Sequence, residues 1–163
     1  MADAMAVAYF RGIAASQLLI SPNIKGSMIA VGMSDEATRV YLRKLSSGKA
    51  GVACINSPSS VTVSGDETAI DELVEMLKDK SVFFRRLAVD VAYHSHHMEI
   101  AANEYLSSIE HISPRHDHTL ASQLGKIAVF SSVTGSEIRP SEMGPQYWVS
   151  NLLGQTVIKM WRI

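Results

Sequence analysis

The chain has 163 residues, 47% of them apolar and 19% charged, with a formal net charge of −1. That balance is globular, and it excludes a disordered acidic or basic tail, a nucleic-acid binder with a basic footprint and a polybasic membrane-surface module. No apolar run reaches the ~20 residues that cross a bilayer, and the first residues lack the basic-then-apolar order of a secretory signal.

In chain order, Ala2 to Leu19 reads as a helix. Ala4, Met5, Ala8, Gly12 and Ala15 recur at spacings of three and four, and Gly12 with its small neighbours predicts close packing on another element. Ser27–Met33 reads as a strand apolar on both faces. Ser34 is a candidate N-cap for a helix with Asp35 and Glu36 in its first turn, an apolar face of Ala37, Val40, Tyr41 and Leu45, and Gly48 as its stop. Ala50–Ile55 and Ser60–Ser64 are two strands joined through Asn56-Ser57-Pro58-Ser59. The single cysteine, Cys54, lies in the first of them, so no disulfide within the chain is possible and a reducing, cytoplasmic setting is expected.

Asp66 can cap a helix whose core face is Ile70, Leu73, Val74 and Leu77, and Val82–Val91 reads as a fourth strand. Strand, helix, strand, strand, helix, strand is the ferredoxin-like βαββαβ order. Beyond it, His96–His111 reads as a helix with Met98, Ala101, Ala102, Tyr105 and Ile109 inward, and residues 113–122 as a polar loop. Lys126–Val133 reads as a core strand of a second sheet, and Pro145–Leu153 as a short helix.

The segment Ala92-Tyr93-His94-Ser95-His96-His97-Met98 follows a strand and opens a helix, a position that displays reactive side chains at a sheet edge. The positive end of a helix disfavours the imidazolium, so a histidine there is available as a base near neutral pH. Three histidines in four positions raise the question of a metal, as do His116 and His118. Neither group is accompanied by a third ligand in a recognised spacing, so no metal site is expected and solvated histidines are the plainer reading. Arg11, in a largely apolar helix, requires an anion, which is either a protein carboxylate or a substrate carboxylate. No Gly-x-Ser-x-Gly nucleophile elbow and no glycine-rich phosphate loop occurs.

Tyr9-Phe10-Arg11-Gly12, Gly26-Ser27-Met28-Ile29-Ala30-Val31-Gly32, the run Val52–Gly65, Ala92–Met98 and Tyr147-Trp148-Val149-Ser150-Asn151-Leu152 occur in one order. Together they resemble the malonyl/acyl transferase domain of fungal iterative reducing polyketide synthases, over nearly the whole chain to about Leu153. The resemblance implies an α/β (α+β) fold in which a ferredoxin-like subdomain is inserted in an α/β-hydrolase-like one, here truncated. It divides the chain into 1–25 and 92–153, from the large subdomain, 26–91, the small subdomain, and 154–163, a divergent tail.

It also implies a ping-pong transfer of malonyl from malonyl-CoA to the phosphopantetheine thiol of an acyl carrier protein, within a larger polyketide synthase and with no bound cofactor. His94 matches the general base, Arg11 the residue that holds malonyl's free carboxylate, and Asn151 an amide close to that histidine. Tyr93 stands where extender-unit choice is made, and malonyl is expected. The family's nucleophilic serine lies in a Gly-His-Ser-x-Gly segment upstream of the arginine, which is absent from these residues, so the chain alone is expected to be inactive. The alternatives are a non-catalytic docking module that binds a carrier protein, and an inactive gene remnant prone to aggregation.

Overall fold

A computed structural model describes residues 2–21, 24–114 and 128–157. The helix α1 (Ala2–Leu19) is followed by β1 (Gly26–Val31), α2 (Asp35–Leu42), β2 (Ala50–Ser57), β3 (Ser60–Asp66), α3 (Glu67–Lys78) and β4 (Phe84–Arg86). A 3-10 turn, His96–Met98, then leads into α4 (Glu99–Ile109). After it come β5 (Val129–Phe130), β6 (Glu137–Ile138), α5 (Pro145–Leu153) and β7 (Thr156–Val157).

β1 to β4 form an antiparallel sheet in the order β4-β1-β3-β2, with Ile29 opposite Val63 and Ala30 opposite Arg85. β7 adds to the outer side of β2 in parallel, Thr156 opposite Cys54, so the first residues of the stretch read as a tail sit in the sheet. Ile29, Val31, Val61 and Val63 are fully buried against Ile70, Leu73 and Leu77 of α3. Each such side chain contributes about 1.5–3 kcal/mol relative to an exposed one, which holds α3 on the sheet. A second cluster joins α1, α4 and α5 through Val7, Ala15, Leu18, Tyr105, Ile109 and Leu152.

Several local readings hold. Ser34 caps α2, its hydroxyl accepting from the Ala37 amide at 3.2 Å, and α5 spans the expected residues, with Pro145 at its first position. Other readings do not. In α1 the buried side is Val7, Ala14, Ala15 and Leu18, whereas Gly12 is exposed with nothing near it and Met5, Tyr9 and Ile13 face outward. Nearly every α1 residue is small or apolar, so periodicity there does not choose a face.

α2 ends at Leu42 rather than at Gly48. The amides of Ser46 and Ser47 are instead taken by the Glu72 carboxylate at 3.0 and 2.8 Å. β4 is three residues long. The Leu87 amide makes one more bond, to the Met28 carbonyl, before the chain leaves the sheet edge to bury Val91 and Ala92. β5 is a two-residue ladder with β6 and not a core strand, and Lys126 and Ile127 lie outside the described residues. His116 and His118 lie outside them as well.

Gly65 shows what the sheet tolerates. A Cβ at this position in β3 would lie 2.2 Å from the Lys49 carbonyl oxygen and 2.5 Å from Ala50 Cα. Backbone on a paired strand cannot yield as a flexible side chain can. Gly65→Ala is expected to lower stability by about 3 kcal/mol. Urea unfolding would show this as a lower midpoint at unchanged slope, and an unchanged midpoint would mean that β2 and β3 are not packed as described.

Candidate active site

His94 lies in the turn between the end of the sheet and the 3-10 turn, with φ 58, the only non-glycine positive φ among the described residues. α4 begins at Glu99, too far on for its first turn to act strongly on the imidazole. Other forces set its state. Burial disfavours the imidazolium and pushes the pKa of His94 down from the usual histidine value. The Gly154 carbonyl pulls the other way, and the Arg11 guanidinium adds to the downward push.

His94 Nδ1 is 2.8 Å from the Gly154 carbonyl oxygen. A carbonyl only accepts, so Nδ1 carries the proton and Nε2 keeps the lone pair. Gly154 is itself fixed, because its amide closes the last turn of α5 onto the Ser150 carbonyl at 2.8 Å. The ring is thus aimed by the C-terminal end of α5. It borders a cavity of about 320 Å³ whose walls include Lys49, Gly51, Glu99 and Leu153. Arg11 does not border this cavity.

Arg11 meets the same end of α5 from the opposite element. Its Nη1 donates to Asn151 Oδ1 at 2.7 Å, which settles the orientation of that amide, since a guanidinium only donates. Asn151 Nδ2 then donates to Ser132 Oγ at 3.3 Å, and Tyr147 OH donates to Ser131 Oγ at 3.1 Å. The turn between β5 and β6 is therefore fastened to α5 by two side-chain bonds. Among the described residues the side-chain partner of Arg11 is a neutral amide oxygen, not a carboxylate.

The three residues selected from the sequence are thus brought together around Asn151 and Gly154, three positions apart on one helix end. Ser132 and the Gly154 carbonyl were not foreseen. Each acts through a contact that no spacing in the chain announces. His96 and His97 both reach Asp66 Oδ1, His97 from a buried position, while His96 also borders the cavity beside His94.

The acyl transferase domain family matches residues 1–158. The chain belongs to that family. A highly reducing polyketide synthase from a fungal species, phiA, is 50% identical over 153 residues, which is 94% of this chain and 6% of that protein. The loading acyltransferase of the avermectin modular polyketide synthase superposes with a TM-score of 0.79 at 27% identity, over 94% of this chain and 45% of that one. The malonyl CoA-acyl carrier protein transacylase of Clostridium perfringens shares the fold, with a TM-score of 0.75 at 22% identity, over 93% of this chain and 46% of that one. The mixed α/β architecture is therefore that of acyltransferase domains. The acyltransferase chain spans only a small part of its curated relative. Among the described residues no helix is long and apolar enough to cross a membrane.

Proposed function

We propose that this chain forms part of an acyltransferase domain that moves a malonyl group from malonyl-CoA to the phosphopantetheine thiol of an acyl carrier protein, in the cytoplasm, during polyketide assembly. The observation that carries the reading is the convergence of His94 and Arg11 on the last turn of α5, through Gly154 and Asn151. In this reading residues 26–91 are a ferredoxin-like small subdomain, supported by the order β4-β1-β3-β2 and the two helices that follow β1 and β3. Residues 1–25 and 92–153 are then parts of the large subdomain.

His94 is the general base. With Nδ1–H held by Gly154, Nε2 takes the proton of a serine hydroxyl as its oxygen attacks the malonyl thioester, and then gives that proton to the departing coenzyme A thiolate. In the second half the same nitrogen deprotonates the carrier's thiol, which attacks the acyl-serine, and the proton returns to the serine oxygen. Arg11 receives the free carboxylate of malonyl. Asn151 holds its guanidinium by one nitrogen and leaves the remaining donors for the substrate. No Gly-x-Ser-x-Gly segment occurs among the 163 residues, so the serine must come from outside them.

Labelled malonyl-CoA tests this. The isolated chain is expected to form no covalent adduct, whereas a complete domain carrying this segment forms one adduct that a carrier protein discharges. A stoichiometric adduct on the isolated chain would place a nucleophile within these residues and overturn the scheme. Carrier binding by a complete domain that never acylates would favour the docking module instead, a reading supported by the sheet's own buried core.

A further inference from the structure

Beside the candidate active site, two histidine nitrogens converge on one carboxylate oxygen. The Nε2 atoms of His96 and His97 lie 3.0 and 2.7 Å from Asp66 Oδ1. These side chains come from sequence positions 30 and 31 residues apart from Asp66, at the start of α3 and in the 3-10 turn after His94. Asp66 does not spend its carboxylate on capping α3, since it makes no side-chain cap bond there. Its other oxygen, Oδ2, instead accepts the Lys49 amide at 2.6 Å, which fixes the plane of the carboxylate and turns Oδ1 toward the two rings.

The rings are also positioned from behind. His97 is 6% exposed, and its Nδ1 lies so close to Gly26 that a Cβ there would approach it to 2.9 Å. The Ser95 hydroxyl binds the Ala92 carbonyl and accepts the His97 amide, so the turn that carries both imidazoles is stitched to itself. The rings meet edge to face, with centroids 4.4 Å apart and planes at 77°. Each Nε2 donates to Asp66 Oδ1, and a metal ion would take the place of those two protons. All three donor atoms lie within 4.8 Å of one another. A tetrahedral zinc ion with bonds of about 2.1 Å holds neighbouring ligand atoms roughly 3.4 Å apart, so the two histidine–Asp66 separations must widen by about 0.4 and 0.7 Å to admit one.

We propose that Asp66, His96 and His97 form a binding site for a divalent transition-metal ion of the zinc class. Two imidazoles and one carboxylate are a donor set that such ions take, and a carboxylate held through its other oxygen by a backbone amide is the supporting contact such sites carry. The three residues border a cavity of about 490 Å³, with Lys25, Glu67 and Thr68 also on its wall. An ion here fastens the turn carrying His94 to the start of α3. It thus joins the helical cluster to the sheet beside the candidate active site, whose cavity His96 also borders. The sequence flagged these histidines, but it could not supply their third partner, which lies some thirty positions upstream.

The chain, stripped with chelator, is titrated with zinc in competition with a chromophoric chelator, and separately with cobalt while its visible absorption is recorded. One equivalent is expected to bind and to raise the melting temperature, and cobalt is expected to give ligand-field bands. His96→Gln changes a side chain that is 36% exposed, so its fold should survive. It and Asp66→Asn are each expected to weaken binding about tenfold or more with an unchanged far-ultraviolet spectrum. His111→Asn is expected to leave the affinity as it is. Absence of saturable binding, undiminished affinity in both His96→Gln and Asp66→Asn, or loss of binding only on His116→Asn and His118→Asn would each overturn the proposal.

Discussion

A complete acyltransferase domain built around this segment is expected to lose transfer activity by about a thousandfold when His94 is replaced by alanine. The expectation follows from the role proposed for the imidazole in both half-reactions, removing the proton that makes serine nucleophilic and returning it to the leaving thiolate. The geometry argues for an aimed base rather than an incidental histidine. Nδ1 is held by a backbone carbonyl at 2.8 Å, and that carbonyl belongs to the residue that closes α5. Burial keeps the ring neutral, so its lone pair is available without prior loss of a proton. Loss of activity could also arise from a damaged fold, so the variant's thermal melt is the necessary companion measurement. A variant that melts with the parent and still acylates at the parent's rate would remove His94 from the mechanism.

Arg11→Ala in the same complete domain is expected to reduce the preference for malonyl over acetyl thioesters by about a hundredfold. A hydrogen bond to a charged group contributes about 1.5–3 kcal/mol, which is a factor of about ten to a hundred and fifty. Acetyl has no free carboxylate to hold, so its transfer should change little, and the split between the two substrates separates a binding role from general damage. Arg11→Lys should recover only part of the preference, because an ammonium offers a point charge where the guanidinium offers parallel donors. Competition between malonyl-CoA and acetyl-CoA in one reaction reads the ratio directly. An unchanged ratio would leave Arg11 as a structural partner of Asn151 and nothing more.

The elements that were legible from the sequence are those whose signals are local. Ser34 with Asp35 and Glu36 starts α2, and Ile70, Leu73 and Leu77 mark the buried face of α3, because capping and helical spacing act within a few residues. Arg11 and His94 stand out by residue type and setting, and Asn151 comes only through the family resemblance. What joins them was not legible. Arg11 and Asn151 are 140 positions apart, and His94 meets a carbonyl 60 positions away, whose identity leaves no trace in a side chain. The orientation of α1 was missed for a different reason. A helix made almost wholly of small and apolar residues has two faces that both look fit for burial, and only the positions of α4 and α5 decide between them.

His94 has a backbone that glycine would adopt with less effort, since φ 58 lies in the left-handed region that side-chain-bearing residues enter at a cost of about 1 kcal/mol, histidine being one of those found there more often. Selection for thermal robustness and selection for chemistry therefore pull in opposite directions at this one position. A library of this domain screened for solubility or heat tolerance alone would drift toward chains that fold better and have discarded the proposed base.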